Sequence, residues 1–320
     1  MIHEKKTGVL LLNFGAPEKL AEVEDFITHI GRGKKPPEQV LKIAKEKYSF
    51  LGGGSPLNAI TRRQAEKLSQ ELKKQGRWKP VYFGMLHCPP FIHETLEKMV
   101  QDGVERIMAL SLAPFYSQVS TGAYYTEVRE WVTEFSSGLD VRFGGDLSAH
   151  PLFIEAWVNK ITQALAAFTC PQEVNLVFTT HSLPLEPAED AFYYEKQFQE
   201  AVGKVEDRLS HRKIYLAYQS KGNRPGQWLG PQVGEVMEKL ALAGEKSVLV
   251  VPIGFAADHL ETLYDLDVEI KMQAQKLNMD WRRTTALNDD SLLIKLLAAL
   301  INRADSEVLG KFVRNDGVVK

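Results

Sequence analysis

A chain of 320 residues is long for a single hydrophobic core, so two α/β units of similar size are expected. Its 44% hydrophobic and 25% charged residues are ordinary for a soluble globular protein. A net charge of −2 without a basic tract or stacking motif gives no reason to expect nucleic acid. Two cysteines, Cys88 and Cys170, with no C-x-x-C, argue against a zinc ribbon, a cluster on four thiolates and a disulfide framework. A reducing cytoplasm fits.

In chain order, the apolar run in TGVLLLNF predicts a first strand over 9–13. It has no cleavage-site pattern behind it, which sets it apart from a signal peptide. Residues 26–59 read as a long irregular insertion: GRGKKPP, a helix-like KIAKEKYSF, then LGGGSPLN. Such a stretch is a binding lip or a solvated loop. Helices are predicted over 61–74, 90–101, 122–133, 151–167 and 234–242, and further strands over 81–85, 107–111, 141–143, 176–180, 214–218 and 248–251. Alternation of this kind means βαβ units around mostly parallel sheets. GGDLSAHP marks a boundary near Ser148. The halves echo each other in LLLNFGAP and LVFTTHSLP, where a strand runs into a loop closed by proline. The apolar run 292–301 is too short to span a bilayer, so no transmembrane segment is expected.

The chemistry concentrates at two strand ends. Past the strand at 248–251, Glu261, Asp265 and Glu269 fall at i, i+4 and i+8, which stacks three carboxylates on one helix face. Like charges so placed weaken a helix by some tenths of a kcal/mol per pair. Spacing alone fits a solvated acidic face. A second buried strand, however, ends on His181, and a histidine and acids at strand ends suit a crevice that handles metal or protons. His181 and Glu261 together suit a divalent first-row metal, and a two-ligand site is open and labile rather than a store. His259 lies one position off the Glu261 face and is expected to point elsewhere; His87 is expected to pack. No G-x-G-x-x-G, Walker loop or G-x-S-x-G elbow occurs.

THSLP at 180–184, YQSKGNRPGQWLGP at 218–231 and VPIGFAADHLETLYDLDVE at 251–269 resemble the ferrochelatase family. So do LNFGAP at 12–17, GGGSPL at 52–57 and LAPFYSQVSTGAY at 112–124. The resemblance implies an α/β fold of two Rossmann-like, doubly wound domains with parallel sheets, 1–148 and 149–320, holding a porphyrin in the cleft between them. It implies insertion of Fe²⁺ into that porphyrin in haem synthesis. His181 and Glu261 fall on the family's metal-site and catalytic positions, and Asp265 and Glu269 on its further acids, thought to guide metal or carry off protons. Tyr124 and Ser55 fall on porphyrin-contacting positions. Phe14, Arg32, Lys34, Lys47 and Tyr48 are expected at the ring, the cations facing its propionates. Fe²⁺ is then a substrate; no permanently bound cofactor or iron–sulfur cluster is expected. A transient haem-accepting protein is an expected partner. Coproporphyrin-using members carry a tyrosine where this chain has Phe14, and Arg-Arg-Gly where it has Gly31-Arg32-Gly33, although the lip resembles theirs. Coproporphyrin III and protoporphyrin IX therefore both stay open. Rival readings are a chelatase for another tetrapyrrole or metal, such as cobalt into a sirohydrochlorin, and a non-catalytic haem or metal carrier.

Overall fold

The structure is a computed structural model that describes residues 5–209, 213–222 and 225–306. Eight strands among them form two four-stranded sheets. The first holds β1 (Thr7–Asn13), β2 (Val81–Met85), β3 (Arg106–Ser111) and β4 (Asp140–Phe143) in the order β2-β1-β3-β4. The second holds β5 (Asn175–His181), β6 (Ile214–Gln219), β7 (Ser247–Val251) and β8 (Asp280–Arg283) in the order β6-β5-β7-β8. Every pairing is parallel, and the two orders are the same topology used twice.

The helices of the first half are α1 (Val23–Ile30), α2 (Glu38–Phe50), α3 (Leu57–Lys74), α4 (Ile92–Gln101) and α5 (Ala123–Phe135). Those after it are α6 (Pro151–Leu165), α7 (Ala188–Glu206), α8 (Val233–Leu242), α9 (Lys271–Lys276) and α10 (Ser291–Ser306). A π-helix, Glu261–Ile270, runs directly into α9.

The continuous apolar runs of the central strands are explained by burial on both faces, as parallel sheets require. Leu10 and Leu12 of β1 pack with Ile92, Leu96 and Trp131 of the outer helices α4 and α5. Val9 and Leu11 point the other way, into a layer shared with Leu176 and Phe178 of β5 and Leu249 and Val251 of β7. Val177, Val248 and Val250 pack outward against α8. One uninterrupted core therefore joins the inner faces of both sheets, filled by α3, α6, α7 and α10. The last of these crosses back: α10 packs on α3 of the first half as well as on α6. Lys67 and Asp289 join the same two regions at 2.6 Å.

The strands expected from sequence all form, as do the five expected helices, with ends shifted by a few residues. Three features differ. Residues 26–59 are more regular than expected: α2 covers the helix-like KIAKEKYSF and extends it backwards, and most of α1 also lies within them. β8, α1, α7 and α10 were not among the expected elements. The acidic stretch is wider than an α-helix, so Glu261, Asp265 and Glu269 are presented by π geometry. No helix of the described residues is long and apolar enough to cross a membrane.

Candidate active site at the ends of β5 and β7

His181 is the last residue of β5 and lies opposite Gln219 of β6. β7 ends at Val251, and the chain turns through Pro252 and Gly254 beside it. Gly254 is required there: a β-carbon at this position would lie 2.0 Å from Thr180 Oγ1. That close approach lets the loop after β7 lie against the end of β5. It carries Glu261, the first residue of the π-helix, to His181.

The two side chains meet. His181 Nε2 stands 3.3 Å from Glu261 Oε1, each side chain about one-third exposed at 32% and 31%. His181 Nδ1 faces the Ser182 carbonyl at 2.6 Å. Both ring nitrogens thus face acceptors, the arrangement an imidazolium satisfies by donating twice. Burial works against the charged ring, but the Glu261 charge and hydrogen bonds to Glu261 and Ser182 outweigh it, and the pKa rises to about 9. Burial alone would raise the Glu261 carboxyl. His181 and His259 hold it well below the usual carboxylate range instead.

His259 corrects the sequence expectation. Its Nε2 lies 3.3 Å from Glu261 Oε2, so it clasps the second oxygen rather than pointing elsewhere. Its N–H donates to Thr262 Oγ1 at 3.0 Å and its Nδ1 faces the Ala257 carbonyl at 3.2 Å, contacts that fix it in the loop just before the π-helix.

The acidic row does not simply repel itself. The Lys47 ammonium, from lip helix α2, lies 3.0 Å from Asp265 Oδ1 and 3.1 Å from Glu269 Oε1. It also sits over the Tyr264 ring, and Phe50 meets the same ring edge-on. Lys47 was expected to face a ring propionate; its partners in the free protein are these two carboxylates. Ser220 Oγ donates to Asp265 Oδ2 at 2.6 Å, and Gln219 Nε2 donates to the Glu261 carbonyl at 2.9 Å. Burial and the Glu261 charge raise the Asp265 carboxyl above its ordinary pKa, with Ser220 and Lys47 pulling the other way. Side-chain exposure is 16% at Asp265 and 49% at Glu269, so the row leads outward from the His181–Glu261 pair to solvent.

Tyr48 is buried, and burial followed by the Glu261 charge pushes its hydroxyl up, which places this lip residue close to the pair. The other residues expected at the ring have partners of their own. Phe14 follows β1 and packs edge-on against His87 and Phe26. His87 does pack, but it also meets His29, Nδ1 to Nδ1, at 3.0 Å, beside a pocket of about 420 Å³. Ser55 is buried and accepts from the Leu57 N–H at the start of α3. Tyr124 is buried in the outer core of the first sheet with Leu10 and Leu12. Arg32 and Lys34 are exposed in the turn after α1, Arg32 with a φ of 54°. Among the described residues, no group of three or more His, Cys, Asp or Glu side chains is gathered to hold a metal ion. The pair His181–Glu261 stands as an open two-group site.

Two like four-stranded parallel sheets are a fold shared with solved chelatases. SirB from Bacillus subtilis, solved with Fe³⁺, superposes with a TM-score of 0.61 over 94% of this chain and 96% of its own, at 12% identity. Sequence narrows the class. A model of the ferrochelatase family matches residues 6–305, and the chain belongs to that family. A coproporphyrin III ferrochelatase of Oceanobacillus iheyensis is 33% identical over 96% of this chain and 100% of its own length. A ferrochelatase of Thermus thermophilus is 34% identical over 93% and 99%.

Proposed function

We propose that this protein inserts Fe²⁺ into a porphyrin, with His181 and Glu261 receiving the metal and handling the displaced protons. The observation that carries the reading is the pair itself: an imidazole at the end of β5 and a carboxylate at the start of the π-helix that follows β7, 3.3 Å apart and each about one-third exposed. Insertion exchanges one Fe²⁺ for the two pyrrole N–H protons of the free ring. Once His181 has lost its proton it offers a lone pair to iron or to a pyrrole proton. Asp265, with its raised pKa, is the next group able to carry that proton, and the exposed Glu269 passes it to water. The lip supplies Lys47 to Asp265 and Glu269, where porphyrin carboxylates would compete for the ammonium, and Tyr48 within reach of the Glu261 charge. Phe14 and Tyr124 belong to the wall of the first sheet. A cytoplasmic location, the absence of a resident cofactor and handover of haem to an accepting protein belong to the same proposal.

The test is anaerobic Fe²⁺ insertion followed by absorbance, with coproporphyrin III and protoporphyrin IX side by side. The similarity to the coproporphyrin III ferrochelatase of Oceanobacillus iheyensis makes coproporphyrin III the first ring to try. Metal-dependent turnover is the expected result. Tight haem binding without turnover of free porphyrin would make the protein a carrier.

The acidic row has its own test. Asp265→Asn combined with Glu269→Gln is expected to slow iron insertion by about tenfold, the usual loss when a group behind a metal ligand is removed. Porphyrin affinity, read by fluorescence titration, should stay within about twofold, on the order of a few tenths of a kcal/mol. Wild-type rates in the double variant would leave the row as a solvated helix face.

A further inference from the structure

We infer that Arg283, at the end of β8, is the positioning residue that keeps the π-helix in the register presenting Glu261 to His181. This rests on the proposed role of that pair but uses residues outside it. The Arg283 side chain is only 7% exposed. Its Nε and Nη2 make a two-pronged contact with Asp267, both arms at 2.7 Å. Its Nη1 reaches Asp258 at 2.9 Å and the Thr284 carbonyl at 2.8 Å. Asp258 lies before the π-helix and Asp267 within it. One guanidinium therefore grips the chain on both sides of Glu261.

The upstream grip is itself locked. Asp258 accepts from Asn288 Nδ2 at 2.7 Å and from Thr262 Oγ1 at 3.1 Å, and its own N–H donates to Asn288 Oδ1 at 2.8 Å. Thr262 Oγ1 in turn accepts from the His259 N–H, so the residues on either side of Glu261 hang on the same network.

The need for such a tie follows from helix geometry. A π-helix forms i→i+5 bonds, is rare, and lies next to the more favourable α-helix in conformation. Nothing in ETLYDLDVEI forbids an ordinary α-helix. Tightening this segment to α geometry would keep Glu261, Asp265 and Glu269 near one face but turn each further round the axis, away from the directions in which they now meet His181, Ser220 and Lys47. Asp267 does not share the row of the three acids, so pulling on it from β8 opposes that rotation. A lysine could supply the charge but not the planar fork that holds Asp267 and Asp258 together.

Three variants of the whole chain test this, alongside wild type: Asp267→Asn, Arg283→Lys and Arg283→Met. Asp267→Asn releases only the grip inside the helix and leaves the buried Asp258 contact in place, so it is the variant expected to fold. It should lower kcat/KM for Fe²⁺ by about tenfold, as loss of an outer-shell partner does. Porphyrin Kd should change by less than about twofold. Arg283→Lys should retain more activity than Arg283→Met. In the free variants, amide hydrogen exchange over 261–270 should rise while β5 and β7 stay protected. A lower melting temperature with unchanged kcat, KM and exchange in this segment would overturn the proposal and leave Arg283 as a core ion pair only. The exchange measurement needs no turnover, so it still decides the matter if the wild-type protein proves unable to insert iron.

Discussion

Replacing His181 with alanine is expected to cut iron insertion by on the order of a hundredfold or more, the range in which a positioned acid–base group contributes. The variant removes the imidazole that faces Glu261 at 3.3 Å. With it goes the neutral-form base and metal ligand at the end of β5. Glu261 would keep His259 on its other oxygen but would lose the cation that most strongly holds it ionised. The apolar contacts that bury a macrocycle come from other residues, so porphyrin should still bind within about tenfold of wild type, roughly the worth of one lost polar contact. Fluorescence titration of the porphyrin and absorbance-followed insertion on one preparation give both numbers. Near-normal insertion in the variant would make His181 a structural residue.

Iron affinity should depend steeply on pH. With the His181 pKa pushed up to about 9, the ring is protonated in the free protein at neutral pH, and Fe²⁺ must displace that proton to bind. The apparent KM for Fe²⁺ is expected to rise about tenfold on going from pH 8 to pH 7. An unperturbed histidine, half-titrated near pH 6.5, would give a shallow change over the same interval. Stability runs the other way. A raised folded-state pKa stabilises the protein below the ordinary value of 6.5, and that contribution is lost as pH rises through about 9. Wild type should therefore exceed His181→Ala in urea stability by more at pH 6 than at pH 9.5. A flat KM profile between pH 7 and 8 would mean that the ion pair does not persist in solution.

The double use of one topology was legible because parallel strands buried on both faces leave unbroken apolar runs. LLL in β1 and VLVV in β7 could be read directly. β8 could not: DWRR is a short edge strand with a single apolar residue, Trp281, and so shows neither an apolar run nor alternation. α7 was readable in principle, since Ala191, Tyr194, Phe198, Ala201 and Val205 follow helical spacing. At the site, His181 and Glu261 could be singled out because each follows a recognisable buried strand. Their partners could not. Lys47 reaches Asp265 from 218 positions away in sequence, and no local pattern encodes such a contact. The inward turn of His259 belongs to the loop before the π-helix, and its contacts with Ala257 and Thr262 have no period in the sequence to announce them.

The core that runs unbroken from β1 through α3, α6 and α10 to β5 and β7 has a mechanical consequence. Walls that share one close-packed interior cannot swing apart like the leaves of a hinge without opening voids, and protein interiors resist that strongly. Residues 26–59 meet the π-helix by contrast through a few side chains of α2, Lys47 on Glu269 and Phe50 on Tyr264. Shape adjustment to a flat, stiff guest is thereby confined to a few side chains at the mouth, while the strand ends that carry the chemistry stay where the interior sets them.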